Sequence, residues 1–382
     1  MTIEARSLRK AVVPSNLIPN PSPASFQSNR LALHVSPDGS SCSIYIASGC
    51  HTHKLEISIE DSTLTRGKES LLIPMQAQVL NSSSMDRCPH RSEIQSVVLS
   101  ETDCDGRLIL GTVDSYGHLF VSRLDTSSQD FDELIYSALP RDSGVGEGSW
   151  AGLSFSPSQW STILMFFLQT NSVLCSTFQA AVARSFCKTV DIYDQDIHIK
   201  SLRTLWYPSS ITFLQSSVPG NGNSLLAVAE GCQLSIWDLR MKENDGCAQR
   251  VCGSMGDIIY AVCSASTGHI AVGGADRTVT IYDSRRWSAL SRWVNCSKYE
   301  ITGLDFSSLD SNYVYIQGVD YEVLCGSWKD NEKLFSFRGD SNWLGFSKCS
   351  GRDVVGGWCD SGSIFVADVQ AKDQEANMLD SN

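Results

Sequence analysis

The feature that most limits what this chain can fold into is a short unit that it uses repeatedly. Around residue 276, Ile270-Ala271-Val272 runs into Gly273-Gly274, Asp276 follows in a tight turn, and Val279 and Ile281 alternate before Tyr282-Asp283. Two short strands joined by a turn satisfy this pattern. The alternation puts Val279 and Ile281 on one buried face, and an aspartate suits the turn because its carboxylate accepts hydrogen bonds from nearby backbone N–H groups. The same layout recurs at 225–238, 313–325 and 354–368, and the positions filled by Asp238, Asp283, Ser327 and Asp368 lie 45, 44 and 41 residues apart. The turn spacing Gly-x-x-Asp repeats at Gly111 and Asp114, Gly273 and Asp276, and Gly357 and Asp360.

A period of about 40–45 residues with four strands per unit is that of a propeller blade. Seven units can be counted, starting near 31, 94, 150, 211, 258, 301 and 343. The expected fold is therefore all-β, a seven-bladed β-propeller of four-stranded antiparallel blades spanning 29–369. Closing a ring removes the long exposed edges of an open sheet. In unit one the outer strand is expected within 71–73 or 79–80. In unit three the strands are expected at 150–155, 163–168 and 172–175, with 190–193 as the outer one. Residues 1–28 carry Pro14, Pro19, Pro21 and Pro23 and read as a lead-in rather than a transit peptide, the prolines breaking any long amphipathic helix. Within them a strand near 9–13 is expected to supply the fourth strand of the last blade. Residues 370–382 are polar and are expected to form a disordered tail.

The Trp237-Asp238 pair, with Tyr282-Asp283 as its neighbour, resembles the WD-repeat (WD40) family, and the resemblance covers nearly the whole chain. It implies the propeller and closure of the ring by its N-terminal strand. The family also carries a Gly-His pair before the innermost strand, whose histidine links with the turn aspartate and the tryptophan. No unit has that pair in place: Gly268-His269 and Gly117-His118 enter a second and a third strand instead. The hydrogen-bond network inside the blades is thus expected to be incomplete or differently built.

Composition narrows the function. The net charge is −12, and the basic clusters, Arg6 with Arg9 and Lys10 and Arg285 with Arg286 and Arg292, are small, so no nucleic-acid partner is expected. No apolar run approaches the length of a membrane-spanning helix, and no membrane partner is expected. The 14 cysteines are scattered without a Cys-x-x-Cys pair, which reads as reduced thiols in a cytoplasmic or nuclear protein. A Gly-x-Ser-x-Gly elbow is missing, and Gly144, Gly146 and Gly148 precede no Lys-Ser/Thr, so they read as a surface connection. His51, His53, Cys88 and His90 match no zinc spacing. The turn aspartates at 114, 276, 320 and 360 recur with the fold and read as structural.

No catalytic residue, cofactor or metal is therefore expected. The expected function is a non-catalytic scaffold or adaptor that binds other proteins through a rigid ring of loops, as a monomer within a larger complex. The alternative is an enzyme with a site in the central channel. Within the scaffold class, the run Ile236-Trp237-Asp238-Leu239-Arg240 resembles the short box of WD-repeat substrate receptors of cullin-4 ubiquitin ligases, with Tyr282-Asp283-Ser284-Arg285 as a variant. That resemblance implies a ligase adaptor as partner and Asp238, Arg240, Asp283 and Arg285 as partner-binding residues.

Overall fold

A computed structural model describes residues 2–23, 25–59, 64–85, 90–101, 108–124, 133–142, 147–156, 179–214, 224–242, 246–253 and 256–372. Seven four-stranded antiparallel sheets follow one another along the chain as blades of a propeller. Blade 1 comprises Leu31–Val35, Ser41–Ser48, His51–Ser58 and Val79–Ser84, innermost strand first. Blade 2 comprises Ile94–Glu101, Leu108–Asp114, Leu119–Leu124 and Glu133–Ala138, and blade 3 Ala151–Phe155, Gln179–Arg184, Thr189–Asp194 and Ile197–Arg203. Blade 4 is Pro208–Phe213, Leu225–Glu230, Gln233–Asp238 and Cys247–Cys252, and blade 5 is Ile259–Ser264, His269–Gly274, Val279–Asp283 and Ser288–Trp293. Blade 6 is Ile301–Phe306, Tyr313–Gly318, Glu322–Ser327 and Glu332–Arg338. Blade 7 is Trp343–Lys348, Val354–Cys359, Ser363–Ala371 and, from the other end of the chain, Ile3–Val12.

The burial pattern explains why these segments are strands. Second strands are covered on both faces by the neighbouring blades, so Leu108–Asp114 and Val354–Cys359 are buried at every position. Outer strands face solvent on one side and alternate, as Ile197–Arg203 does. The core is the set of layers between blades. One layer holds Ala181, Ala183 and Ile192 of blade 3 against Ile211, Phe213 and Trp237 of blade 4. Burial of this kind contributes about 25 cal/mol per Å² of apolar surface.

The ring is fastened in two steps. Ile3–Val12 runs antiparallel to Ser363–Ala371, from Ile3 opposite Ala371 to Val12 opposite Ser363. The connection between the third and fourth strands of blade 1 then reaches across this closure: Met75–Gln76 pairs in parallel with Arg9 and Lys10, Leu71 bridges to Ser336, and Leu72 packs with Phe337 of blade 6. At the seam the inner strands of blades 7 and 1 come so close that a Cβ on Gly345 would sit 2.7 Å from the backbone N of Leu31. Only glycine fits there.

Of the two candidates for the outer strand of blade 1, 79–80 is the one found, extended to Val79–Ser84, whereas Leu72–Ile73 pairs with Thr65–Arg66 in a separate ribbon. In blade 3, Thr189–Asp194 is the third strand, not the outer one, because Gln179–Arg184 pairs on its inner side. That second strand contains Ala180, Ala181 and Ala183, residues too small to announce a strand by periodicity, yet the close packing of blades 2 and 4 on either side accepts them. The segments 163–168 and 172–175 lie outside the described residues. The last strand extends to Ala371.

Candidate functional site

Antiparallel order sorts the loops onto two faces. Turns between second and third strands, and connections from an outer strand to the next inner one, share the upper face; the remaining turns share the lower face. The exposed large apolar residues are distributed unequally. Tyr116, Phe186, Leu205, Trp206, Tyr207, Ile258, Val294, Tyr299 and Tyr321 all lie in upper-face loops, whereas Leu309 lies in a lower-face loop and Ile73 and Met75 in the connection between the third and fourth strands of blade 1.

The densest part of this surface is the connection between Ile197–Arg203 and Pro208–Phe213. Leu205, Trp206 and Tyr207 stand 56%, 53% and 57% exposed in succession. They are held there from below by Glu230, which ends the second strand of blade 4 and is fully buried. Its Oε2 accepts hydrogen bonds from the backbone N–H of Leu205 at 2.6 Å and of Trp206 at 2.9 Å. The Thr204 hydroxyl donates to the Trp206 carbonyl at 2.7 Å. Gly231 turns with φ +55°, and a Cβ there would meet Trp206 Cγ at 2.9 Å, so the indole rests on the turn itself. Lys188 of blade 3 sits 4.6 Å from the centre of the Tyr207 ring, a cation–π distance. The loop is thereby fixed while its side chains face outward.

The turn beneath the platform also borders a groove. Gly253 N–H bonds to the Cys232 carbonyl and Ile259 N–H to the Gly231 carbonyl. Between blades 4 and 5 these residues open onto a groove of about 530 Å³ lined by Cys252, Ile258, Thr278, Tyr282 and Arg292 among others. Toward the axis, Phe26 of the N-terminal segment meets Tyr260 of blade 5 with the rings tilted by 52° and their centres 4.3 Å apart, and the Ser28 hydroxyl donates to Gln317 Oε1 of blade 6 at 2.5 Å. The N-terminal segment thus crosses part of the upper mouth of the channel.

On the lower face, the four residues singled out from the sequence fall into two equivalent turns of adjacent blades. Asp238 accepts from Arg240 three times: from the backbone N–H at 3.0 Å, from Nε at 2.9 Å and from Nη2 at 2.8 Å. That fork lowers the Asp238 carboxyl below its ordinary range. Asp283 accepts from the Arg285 N–H at 2.9 Å. The aspartates shape their own turns, and the two arginines are exposed.

Blade 2 contains a histidine network that the sequence reading missed. His90 precedes the innermost strand without a glycine before it, and both its ring nitrogens are used. Nδ1 lies 3.2 Å from Asp114 Oδ2 and Nε2 lies 2.8 Å from Thr112 Oγ1, while the ring meets Phe120 edge-on at 4.5 Å. Asp114 in turn accepts the N–H groups of Tyr116 and His118. Burial alone would raise the Asp114 carboxyl, but the His90 hydrogen bond and its companions outweigh it and the group is lowered. The loose grouping of His51, His53, Cys88 and His90 therefore dissolves: His90 belongs to this network, His53 is pulled down to about 4 by burial beside His51, and Cys88 lies outside the described residues. Asp276 and Asp360 also serve their turns, Asp276 accepting from the Thr278 N–H at 3.1 Å and Asp360 from Asn342 Nδ2 at 3.0 Å. Every described cysteine is a free thiol.

No family model matches the chain, and no curated protein does. Among solved structures 1455 chains match, so the likeness is to a widespread architecture. One is a chain of the mitotic checkpoint complex, with a TM-score of 0.61 at 14% identity over 97% of this chain and 94% of that one. At that identity the likeness is one of fold.

Proposed function

We propose that this propeller is a non-catalytic protein-interaction scaffold of the WD-repeat type, and that its principal docking surface is the upper face of blades 3 to 5. The observation that carries this reading is the run Leu205, Trp206 and Tyr207, more than half exposed yet fixed by a buried carboxylate. Tryptophan and tyrosine are the residues in which binding energy concentrates at interfaces, and fixing the loop in advance removes part of the ordering cost of binding. A propeller of the same fold belongs to a multi-protein assembly, the mitotic checkpoint complex, which agrees with a protein partner here. The test is the double variant Trp206→Ala, Tyr207→Ala in the full chain, with proteins that co-purify with the wild type quantified by mass spectrometry. The variant should melt like the wild type and lose the partner; retention of every partner would refute the upper-face assignment.

A finer reading adds the lower face. Arg240 and Arg285 occupy equivalent exposed positions on adjacent blades, an arrangement suited to carboxylates or carbonyls of a ligase adaptor. The scaffold would then be a substrate receptor of a cullin-4 ligase, holding the adaptor below and its cargo above.

A further inference from the structure

At the lower mouth of the central channel, three side chains from three blades converge. His34 lies on the innermost strand of blade 1, Glu101 ends the innermost strand of blade 2, and Cys349 follows the innermost strand of blade 7. One ligand atom from each lies within 4.8 Å of the other two. We propose that His34, Glu101 and Cys349 form a binding site for a divalent transition metal ion of the zinc class. The site goes beyond the scaffold reading and does not depend on it.

The geometry is close to what such an ion requires. Tetrahedral zinc with bonds of about 2.0 to 2.3 Å separates its ligand atoms by roughly 3.3 to 3.8 Å. His34 Nδ1 and Glu101 Oε1 already stand 3.2 Å apart. A limit of 4.8 Å on the set leaves an adjustment of about 1 Å, which side-chain rotation can share among three residues. The histidine and the carboxylate are partly open to solvent, whereas the cysteine is buried, so an ion can enter from the channel and meet the thiol behind. A site of this composition favours zinc or cobalt over calcium or magnesium, which prefer oxygen alone.

The surroundings support the same reading. Lys348, which lines the cavity beside Glu101, has its ammonium held by the Ser308 hydroxyl and the Cys349 carbonyl, each at 2.7 Å. Glu101 also lines a cavity of about 180 Å³ on the channel side, with Leu33, Val98 and Ser350, which leaves space for a water or a small donor as fourth ligand. On binding, the Cys349 thiol gives its proton to solvent, the His34 ring exchanges its Nδ1 proton for one on Nε2 through solvent, and the metal replaces the hydrogen bond between His34 Nδ1 and Glu101. A thiolate and a carboxylate then neutralise the dication. Because Cys349 lies on blade 7 and His34 on blade 1, the ion would also tie together the two blades that meet at the seam of the ring.

The experiment uses the full chain, stripped with a chelator and titrated first with Co²⁺ and then with Zn²⁺. One equivalent of Co²⁺ should produce the near-ultraviolet charge-transfer band of a cobalt–thiolate bond, and Zn²⁺ should abolish the band and raise the melting temperature. Cys349→Ser should lose the band, and His34→Gln, at a partly exposed position, should weaken binding at least 10-fold while melting normally in the absence of metal. If Cys349→Ser fails to fold, His34→Gln decides. Absence of the band in the wild type, or a band of equal strength and affinity in the folded variants, would overturn the site.

Discussion

Blades 2 and 4 share one strand pattern and use the same turn in opposite ways. In blade 2 the turn aspartate, Asp114, faces inward and meets His90, which also holds Thr112. The polar groups of the loop are consumed inside the blade. In blade 4 the equivalent position carries Glu230, one methylene longer, and the sequence has no histidine in the connection ahead of its innermost strand. Its carboxylate instead takes the N–H groups of Leu205 and Trp206, and the loop turns its side chains outward. The blade that satisfies its own network presents one exposed aromatic, Tyr116, at that turn, whereas the blade that departs from the repeat presents three apolar residues in succession on a fixed loop.

The sharpest way to break this comparison is through the core that blade 4 does share with its neighbours. Trp237 is 1% exposed, its Nε1 donates to Ser235 Oγ at 2.9 Å, and it packs in the layer between blades 3 and 4. Trp237→Ala should cost about 3–5 kcal/mol, read as a fall in the denaturant midpoint. A loss below about 1 kcal/mol would mean that the blade does not depend on its tryptophan.

Next in size is His90→Ala. It leaves Thr112 and one oxygen of Asp114 buried with fewer partners, and should cost about 2–3 kcal/mol without any effect on partner binding. Its pH dependence has a definite sign. The Asp114 carboxyl is lowered in the folded state, so its contribution is present above the unfolded value of about 3.9 and is lost as pH falls through the lower folded value. Acid below about pH 4 should therefore erode the wild type more than His90→Ala, and the two stability curves should converge. Parallel curves in acid unfolding followed by fluorescence would show that His90 does not set the Asp114 carboxyl.

Glu230→Ala should be milder for stability and severe for function. The N–H groups it frees lie in an exposed loop where water can replace the carboxylate, so a cost of about 1–2 kcal/mol is expected. The loss of partner should nevertheless match that of the Trp206 and Tyr207 double variant, because the platform is no longer fixed. Glu230→Gln, which retains one acceptor oxygen, should recover most of the binding. Equal binding by wild type and Glu230→Ala would separate the platform from its support.

Sequence shows the repeat better than it shows the surface. The unit period, the buried Trp237 and the antiparallel blades were legible because side-chain alternation and glycine turns recur at fixed offsets. The strand Gln179–Arg184 was not, since Ala180, Ala181 and Ala183 carry little β signal of their own and are strands by virtue of what packs on them. His90 was hidden by the missing glycine. The platform had a signal that went unread: Leu205-Trp206-Tyr207 are three large apolar residues in a connection, immediately before Pro208, where polar residues would be usual. His34, Glu101 and Cys349 had none, because only closure of the ring makes neighbours of residues 34 and 349.

The smallest effect on stability, and the one that compares the two faces directly, is expected from Arg240→Ala combined with Arg285→Ala. Both side chains are exposed, and the Arg240 fork is made to an aspartate in its own turn, whose hydrogen bond from the backbone N–H of residue 240 survives the change. Exposed pairs of this kind contribute little, because solvent screens them and ordering long side chains is costly. The melting temperature should therefore be unchanged within error. If the lower face holds a ligase adaptor, the double variant should lose that adaptor while keeping every protein that depends on Trp206 and Tyr207, and the upper-face variant should do the reverse. Such a crossed result would assign one partner to each face. Retention of the adaptor by the arginine variant, or its absence from the wild-type complex, would leave the arginines as ornaments of two turns and the upper face as the sole docking surface proposed for the ring.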